Sequence, residues 1–220
     1  MSRVKKAVLM IVIVVVFLLI TMPANASGSA KFGLTQINSD STILNASADQ
    51  NWELDYVDLI LETDYVYKKQ DDIVKMDEFN IISKVNKGLS GKYYTFGVLS
   101  YGTDKLRASG DRIVGGAGLG IKLFRNDNWK VSHETSVAYL SNDDVSEAIL
   151  RNSLWVFYKL DKNLNVTNKL LHESGTDTYL RNETAINYNL SEAVTVGFSN
   201  TYTEDPIDNN VLSITLGVKW

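Results

Sequence analysis

From about residue 29 to the C-terminus the chain alternates apolar and polar positions with a period of two, in segments of roughly ten to fifteen residues. Successive side chains of a β-strand point to opposite faces, so this period predicts strands with one greasy and one polar side. The last segment is the plainest: in "NNVLSITLGVKW", Leu212, Ile214, Leu216 and Val218 share one parity, and Ser213, Thr215, Gly217 and Lys219 share the other. Clusters of Asn, Asp, Gly, Ser and Lys, residues that favour turns, interrupt the alternation at Asn38–Ser41, Trp52–Asp55, Lys69–Asp72, Asn86–Gly91, Thr103–Asp111 and Asn126–Asn128. Further breaks fall at Asn142–Ser146, Asp161–Asn163, Ser174–Asp177, Ser191–Glu192 and Glu204–Asn210. About eleven turns therefore separate about twelve strands, and almost nothing reads as helix. Ten strands is the alternative, because the first hairpin is the least amphipathic.

One unit is written twice. "LRNSLWVFYKLDKNLNV" begins at Leu150, and thirty residues later the chain reads "LRNETAINYNLSEAVTV". Each copy is one hairpin: a strand, a tight turn and a returning strand. Repeated hairpins, an even strand number and no long crossover are what a membrane-spanning barrel requires, because closure leaves no backbone edge facing lipid and puts both termini on the periplasmic side.

Parity assigns the faces. Leu150, Leu154, Val156, Tyr158 and Leu160, with Leu180, Ile186, Tyr188 and Leu190, share the outward side; Arg151, Lys159, Arg181, Glu183 and Asn187 point inward. In "YVDLILETDYVY", Val57, Leu59, Leu61, Tyr65 and Tyr67 face out and Asp58, Glu62 and Asp64 face in. In "RIVGGAGLGIKL", Ala117, Leu119, Ile121 and Leu123 face out, while Gly116, Gly118, Gly120 and Lys122 face in; inward glycines leave room for larger side chains opposite. Taking turns alternately inside and outside puts Trp52, Trp129, Tyr158, Tyr188 and Trp220 at the periplasmic rim and Tyr65, Tyr67, Tyr139 and Tyr202 near the outer rim. Two aromatic girdles are expected of a transmembrane barrel. Trp155 is the exception, with inward parity.

The N-terminus fixes the compartment. Arg3, Lys5 and Lys6 precede an apolar run from Ala7 to Ile20, and Ala24-Asn25-Ala26 follows. The run is too short for a membrane span of about twenty residues and reads as a secretory signal peptide over residues 1–26, cleaved after Ala26. Residues 27–220 then form the barrel. There is no cysteine, which excludes disulfides and a lipid-bearing cysteine, and the net charge of −4 with scattered basic residues offers no footprint for nucleic acid.

An apolar-faced final strand closed by an aromatic residue resembles the C-terminal signal of bacterial outer-membrane barrels. Leu212, Ile214, Leu216, Val218 and Trp220 are thus the expected assembly signal. "YYTFGVLSYGTDKLRASGDRIVGGAGLGIKLF", the "LRN" strands and "LSITLGVKW" together resemble the salt-induced outer-membrane protein family, a domain family of unknown function, over nearly the whole mature chain. "QINSDSTILNASAD" resembles that family's Gly-Asn-Thr-Asp first turn with the glycine lost. The resemblance implies an up-and-down β-barrel in the Gram-negative outer membrane and no catalytic residues, and a monomer is expected because no apolar patch stands out beyond the lipid band. The expected partners are outer-membrane lipid, lipopolysaccharide and, during biogenesis, the barrel-assembly machinery and periplasmic chaperones.

Chemistry other than transport finds little support. His133 and His172 face outward at different levels, with no serine nucleophile in a recognisable motif, and the spacings of metal, calcium and phosphate sites are absent. "NDD" at Asn142–Asp144 and "EDPIDNN" at Glu204–Asn210 are solvated loops with at most weak cation binding. No cofactor or enzymatic activity is expected. What remains is the lumen: Asp58, Glu62, Asp64, Glu134, Glu173 and Glu183 against Lys122, Lys130, Arg151, Lys159, Lys169, Arg181 and Lys219. Charges inside a barrel must pair or stand in water, and a twelve-strand barrel is wider than an eight-strand one that side chains fill. The expected function is a small passive channel with a link to salt or osmotic response; a non-conducting structural barrel is the alternative.

Overall fold

The computed structural model describes residues 26–38, 41–70, 73–104, 111–176, 178–205 and 207–220. The proposed signal peptide lies outside them except for Ala26, and the centres of the turns near residues 39, 71, 105–110, 177 and 206 lie outside them as well.

The first six strands are β1 (Ala26–Asn38), β2 (Ser41–Glu53), β3 (Asp58–Gln70), β4 (Ile73–Ser90), β5 (Tyr93–Asp104) and β6 (Asp111–Arg125). The second six are β7 (Trp129–Ser141), β8 (Ser146–Lys159), β9 (Leu164–Ser174), β10 (Thr178–Asn189), β11 (Val194–Asp205) and β12 (Ile207–Lys219). Each pairs antiparallel with its sequence neighbours, and β12 returns to β1, so twelve strands close one barrel. The ten-strand alternative is thereby excluded.

The apolar side of most strands faces away from the lumen. Leu216 and Ile214 are 57% and 58% exposed, whereas Thr215 between them is 9% exposed. Large exposed apolar residues such as Leu119, Val137, Leu212 and Phe198 make a continuous outer belt, the inverse of a water-soluble protein and the arrangement that a bilayer stabilises. Buried apolar side chains among the described residues form three clusters: Ile43 and Val211 on β2 and β12, Tyr94, Phe96 and Val98 on β5, and Val114, Ala138 and Ile149 on β6, β7 and β8.

The repeated sequence forms repeated hairpins. In one turn Leu160 N and Asp161 N donate to Leu164 O; in the other Leu190 N and Ser191 N donate to Val194 O, with the same distances of 2.9 and 3.2 Å. Asp161 accepts bonds from Asn163 N and Leu164 N, and Ser191 Oγ accepts one from Val194 N. Trp129 and Tyr158 stack with ring centroids 4.2 Å apart beside the rim that carries both termini, here the terminal rim. Two turn boundaries differ from the sequence reading. The residues Trp52 and Glu53 still pair in β2, moving that turn to residues 54–57. Asn86 to Ser90, turn-like in composition, continue β4 by pairing with Phe96 to Tyr93 around an irregularity at Gly88/Ser90; the chain reverses at Gly91, whose φ of 54° suits glycine.

Candidate functional site: the lumen

Alternation along each strand brings one set of side chains into the barrel, and the strand register stacks them in levels. Asp58 on β3 lies opposite Asn86 on β4, followed by Lys84, Glu62 and Asp64 at successive heights away from the terminal rim. A cavity of about 490 Å³ opens at that rim, lined by Asp58, Lys122, Arg125, Lys130 and Trp155 among others. A larger chamber of about 720 Å³ lies beyond it, and the two share Asn86, Tyr94, Ser132 and Trp155 as a partition.

The partition is built on a glycine. A Cβ at Gly120 would lie 2.2 Å from the Tyr94 ring, so the ring rests directly on the β6 backbone. Tyr94 Oη donates to Glu134 Oε1 at 2.6 Å, Ser153 Oγ donates to Glu134 Oε2 at 3.1 Å, and Lys84 Nζ also donates to Glu134. Trp155 stacks against Phe157 with centroids 6.2 Å apart, facing the lumen as its parity requires.

In the chamber, charges meet across the barrel. Lys169 Nζ on β9 lies 3.3 Å from Glu62 on β3, six strands away, which in a twelve-strand barrel is the opposite wall. Arg181 on β10 reaches Asp64 on β3 at 3.0 Å, and Glu183 at 3.8 Å. Arg112 on β6 pairs with Glu173 on β9, and Arg151 on the adjoining strand lies 3.3 Å from the same carboxylate. Arg112 also lies over the Tyr179 ring, 4.9 Å from its centroid.

The sequence-identified charges are distributed unequally among these levels. Glu62, Asp64, Glu134, Arg151, Arg181 and Glu183 line the chamber, while Asp58 and Lys122 line the mouth. Lys159 is exposed at the terminal end of β8. Sequence reasoning overlooked Lys84, Arg112, Tyr94 and Tyr179. Arg112 shares the inward parity of Gly116 to Gly120, a signal that was available; Lys84 follows an apolar run and gave none.

The final strand has its apolar set outside: Leu212, Ile214, Leu216 and Val218 are all exposed. Trp220 does more than end the chain. Its backbone exchanges two 3.2 Å hydrogen bonds with Gly28, and its indole Nε1 donates to Gln50 Oε1 on β2 at 3.0 Å, passing over the space where Gly28 lacks a side chain. The C-terminus is thus tied to two strands at the closing seam. His133 on β7 and His172 on β9 fall near opposite rims, and among the described residues no group of three or more His, Asp or Glu is placed to hold a metal.

The family described as "Protein of unknown function, DUF481" matches residues 29–220, and the chain belongs to that family. No curated protein matches it by sequence. Solved structures share its fold at low identity. The NanC porin has a TM-score of 0.56 at 10% identity, covering 89% of this chain and 98% of that one. The COG4313 outer-membrane channel of Pseudomonas putida F1 scores 0.55 at 12% identity, covering 91% and 97%. The KdgM porin scores 0.52 at 9%, covering 88% and 98%. These are named as porins and a channel, and this chain shares their closed β-barrel fold.

Proposed function

We propose that this member of the DUF481 family is a narrow outer-membrane channel for small ions and solutes. The observation that carries the reading is a polar chamber of about 720 Å³ adjoining a mouth cavity of about 490 Å³, with carboxylates and cations that bridge the space rather than fill it. Lys169 and Glu62 keep side-chain exposures of 48% and 40% while touching across the full width, as groups standing in water do. Exposed ion pairs weaken as salt screens them, which gives the salt connection implied by the family resemblance a physical route: higher ionic strength loosens the bridges and widens the path. Export by the N-terminal signal peptide, insertion by the barrel-assembly machinery through the Trp220 strand, and contact of the apolar belt with lipid and lipopolysaccharide belong to the same reading.

Ion currents across planar bilayers containing the purified barrel test it. Conductance that grows faster with salt than the bulk solution does is expected, and a barrel that stays closed from low to high salt would sink the reading. A second reading, a non-conducting brace, draws support from the four bridges Lys84–Glu134, Glu62–Lys169, Asp64–Arg181 and Arg112–Glu173.

A further inference from the structure

The lumen treats its cations in two ways. Within the chamber, Lys84, Arg112, Arg151, Lys169 and Arg181 each face a carboxylate within ion-pair reach. In the terminal mouth, Lys122, Arg125 and Lys130 form no ion pair with any described residue, and the one carboxylate lining the same cavity is Asp58. Two of these cations sit over aromatic rings: Lys122 Nζ lies 5.8 Å from the centroid of Tyr94, and Lys130 Nζ 5.4 Å from that of Phe157. The rings hold the ammonium groups in place without neutralising them. Five of the six cations lining the chamber are paired, Lys31 being the exception, whereas the three in the mouth have no ion pair among the described residues and share a cavity of about 490 Å³, a volume in the range of small-molecule sites.

We infer that the terminal mouth is a binding site for small multivalent anions, held by Lys122, Arg125 and Lys130 beside the Trp155 partition. A cleft lined by one sign of charge, with low-dielectric walls, raises the local concentration of the opposite ion by about tenfold or more. With Asp58 the mouth keeps a net excess of two positive charges, so a multivalent anion gains more than a monovalent one. The chamber beyond, whose described lining carries seven carboxylates against six cations, offers no matching excess, so occupancy is one-sided. Binding itself does not require an open pore; the one-sided effect on current rests on the channel reading.

Inorganic tripolyphosphate serves as the probe, titrated by calorimetry into the full barrel in detergent at low salt. The wild type binds, and Lys122→Ala/Lys130→Ala weakens binding roughly tenfold, while Lys162→Ala, in the β8–β9 turn on the same rim, binds like the wild type. Equal affinity in the double variant and the wild type overturns the site, as does no binding by the wild type. In bilayers the probe reduces current from the terminal side alone; because the chain has no cysteine, a Ser191→Cys variant labelled by an impermeant maleimide identifies that side. Equal block from both sides also overturns the inference. A barrel that binds the probe but never conducts leaves the site standing and removes the channel.

Discussion

Lys169 on β9 meets Glu62 on β3 at 3.3 Å, joining walls six strands apart. Both side chains are nearly half exposed, whereas Glu173, between Arg112 and Arg151, has a side-chain exposure of 3%. The two pairs should therefore respond differently to mutation. Exposed ion pairs contribute at most about 1 kcal/mol, so Lys169→Ala should leave the unfolding midpoint almost unchanged and raise conductance. Glu173→Gln strands two guanidinium groups and should cost about 3–5 kcal/mol. Guanidinium unfolding of the refolded barrels distinguishes them; equal losses would show that exposure does not govern these pairs.

Tyr94 resting on Gly120 predicts a steric switch. Gly120→Val puts atoms where the ring lies, displaces Tyr94 from Glu134 and should destabilise by about 1–3 kcal/mol. Tyr94→Phe keeps the packing and loses one hydrogen bond, about 1 kcal/mol. Unfolding midpoints check both, and a Gly120→Val barrel as stable as the wild type would contradict the contact.

The seam bond from Trp220 to Gln50 separates two roles of the last residue. If the last strand is the assembly signal proposed above, deleting Trp220 should lower folded yield in cells. Trp220→Phe retains an aromatic terminus but not the indole N–H, so it should assemble normally and lose about 1 kcal/mol. Gln50→Leu should reproduce that loss. Heat-modifiable gel mobility gives the yield, and denaturation gives the stability.

Much of this could be read from sequence because alternation holds along most of each strand, broken only at a few bulges. Asp58, Glu62 and Asp64 fall on the inner face through parity alone, and even Trp155, the awkward case, follows it. Parity names a face but never a partner. That Glu62 meets Lys169, or that Arg112 reaches Glu173, depends on barrel diameter and register, which no local pattern encodes. The β4 boundary escaped for a different reason: Asn86-Lys87-Gly88 has turn chemistry, yet pairing with β5 outweighs it until Gly91.

The duplicated hairpins carry their own pH contrast. Backbone N–H bonds from Asn163 and Leu164, reinforced by Lys162 and Lys159, hold the Asp161 carboxyl below its usual range. A depressed folded value means that the turn is stabilised above the ordinary Asp value of about 3.9, and that this contribution is lost as pH falls through the lower folded value. The equivalent Ser191 does not titrate. Amide resonances of Asn163 and Leu164 should therefore move together with a midpoint below that of free Asp, while Val194 stays still; a midpoint at or above the ordinary value would refute the capping.

The most direct test of the channel is single-channel recording on the wild type and on Arg151→Ala/Arg181→Ala. A wet lumen predicts discrete openings in the wild type and, once two positive charges are gone from beside Glu173, Glu183 and Asp64, a reversal potential shifted towards cations. A barrel that folds with unchanged stability, yet carries no current before or after the substitution, would contradict both the channel and the placement of these arginines in its path.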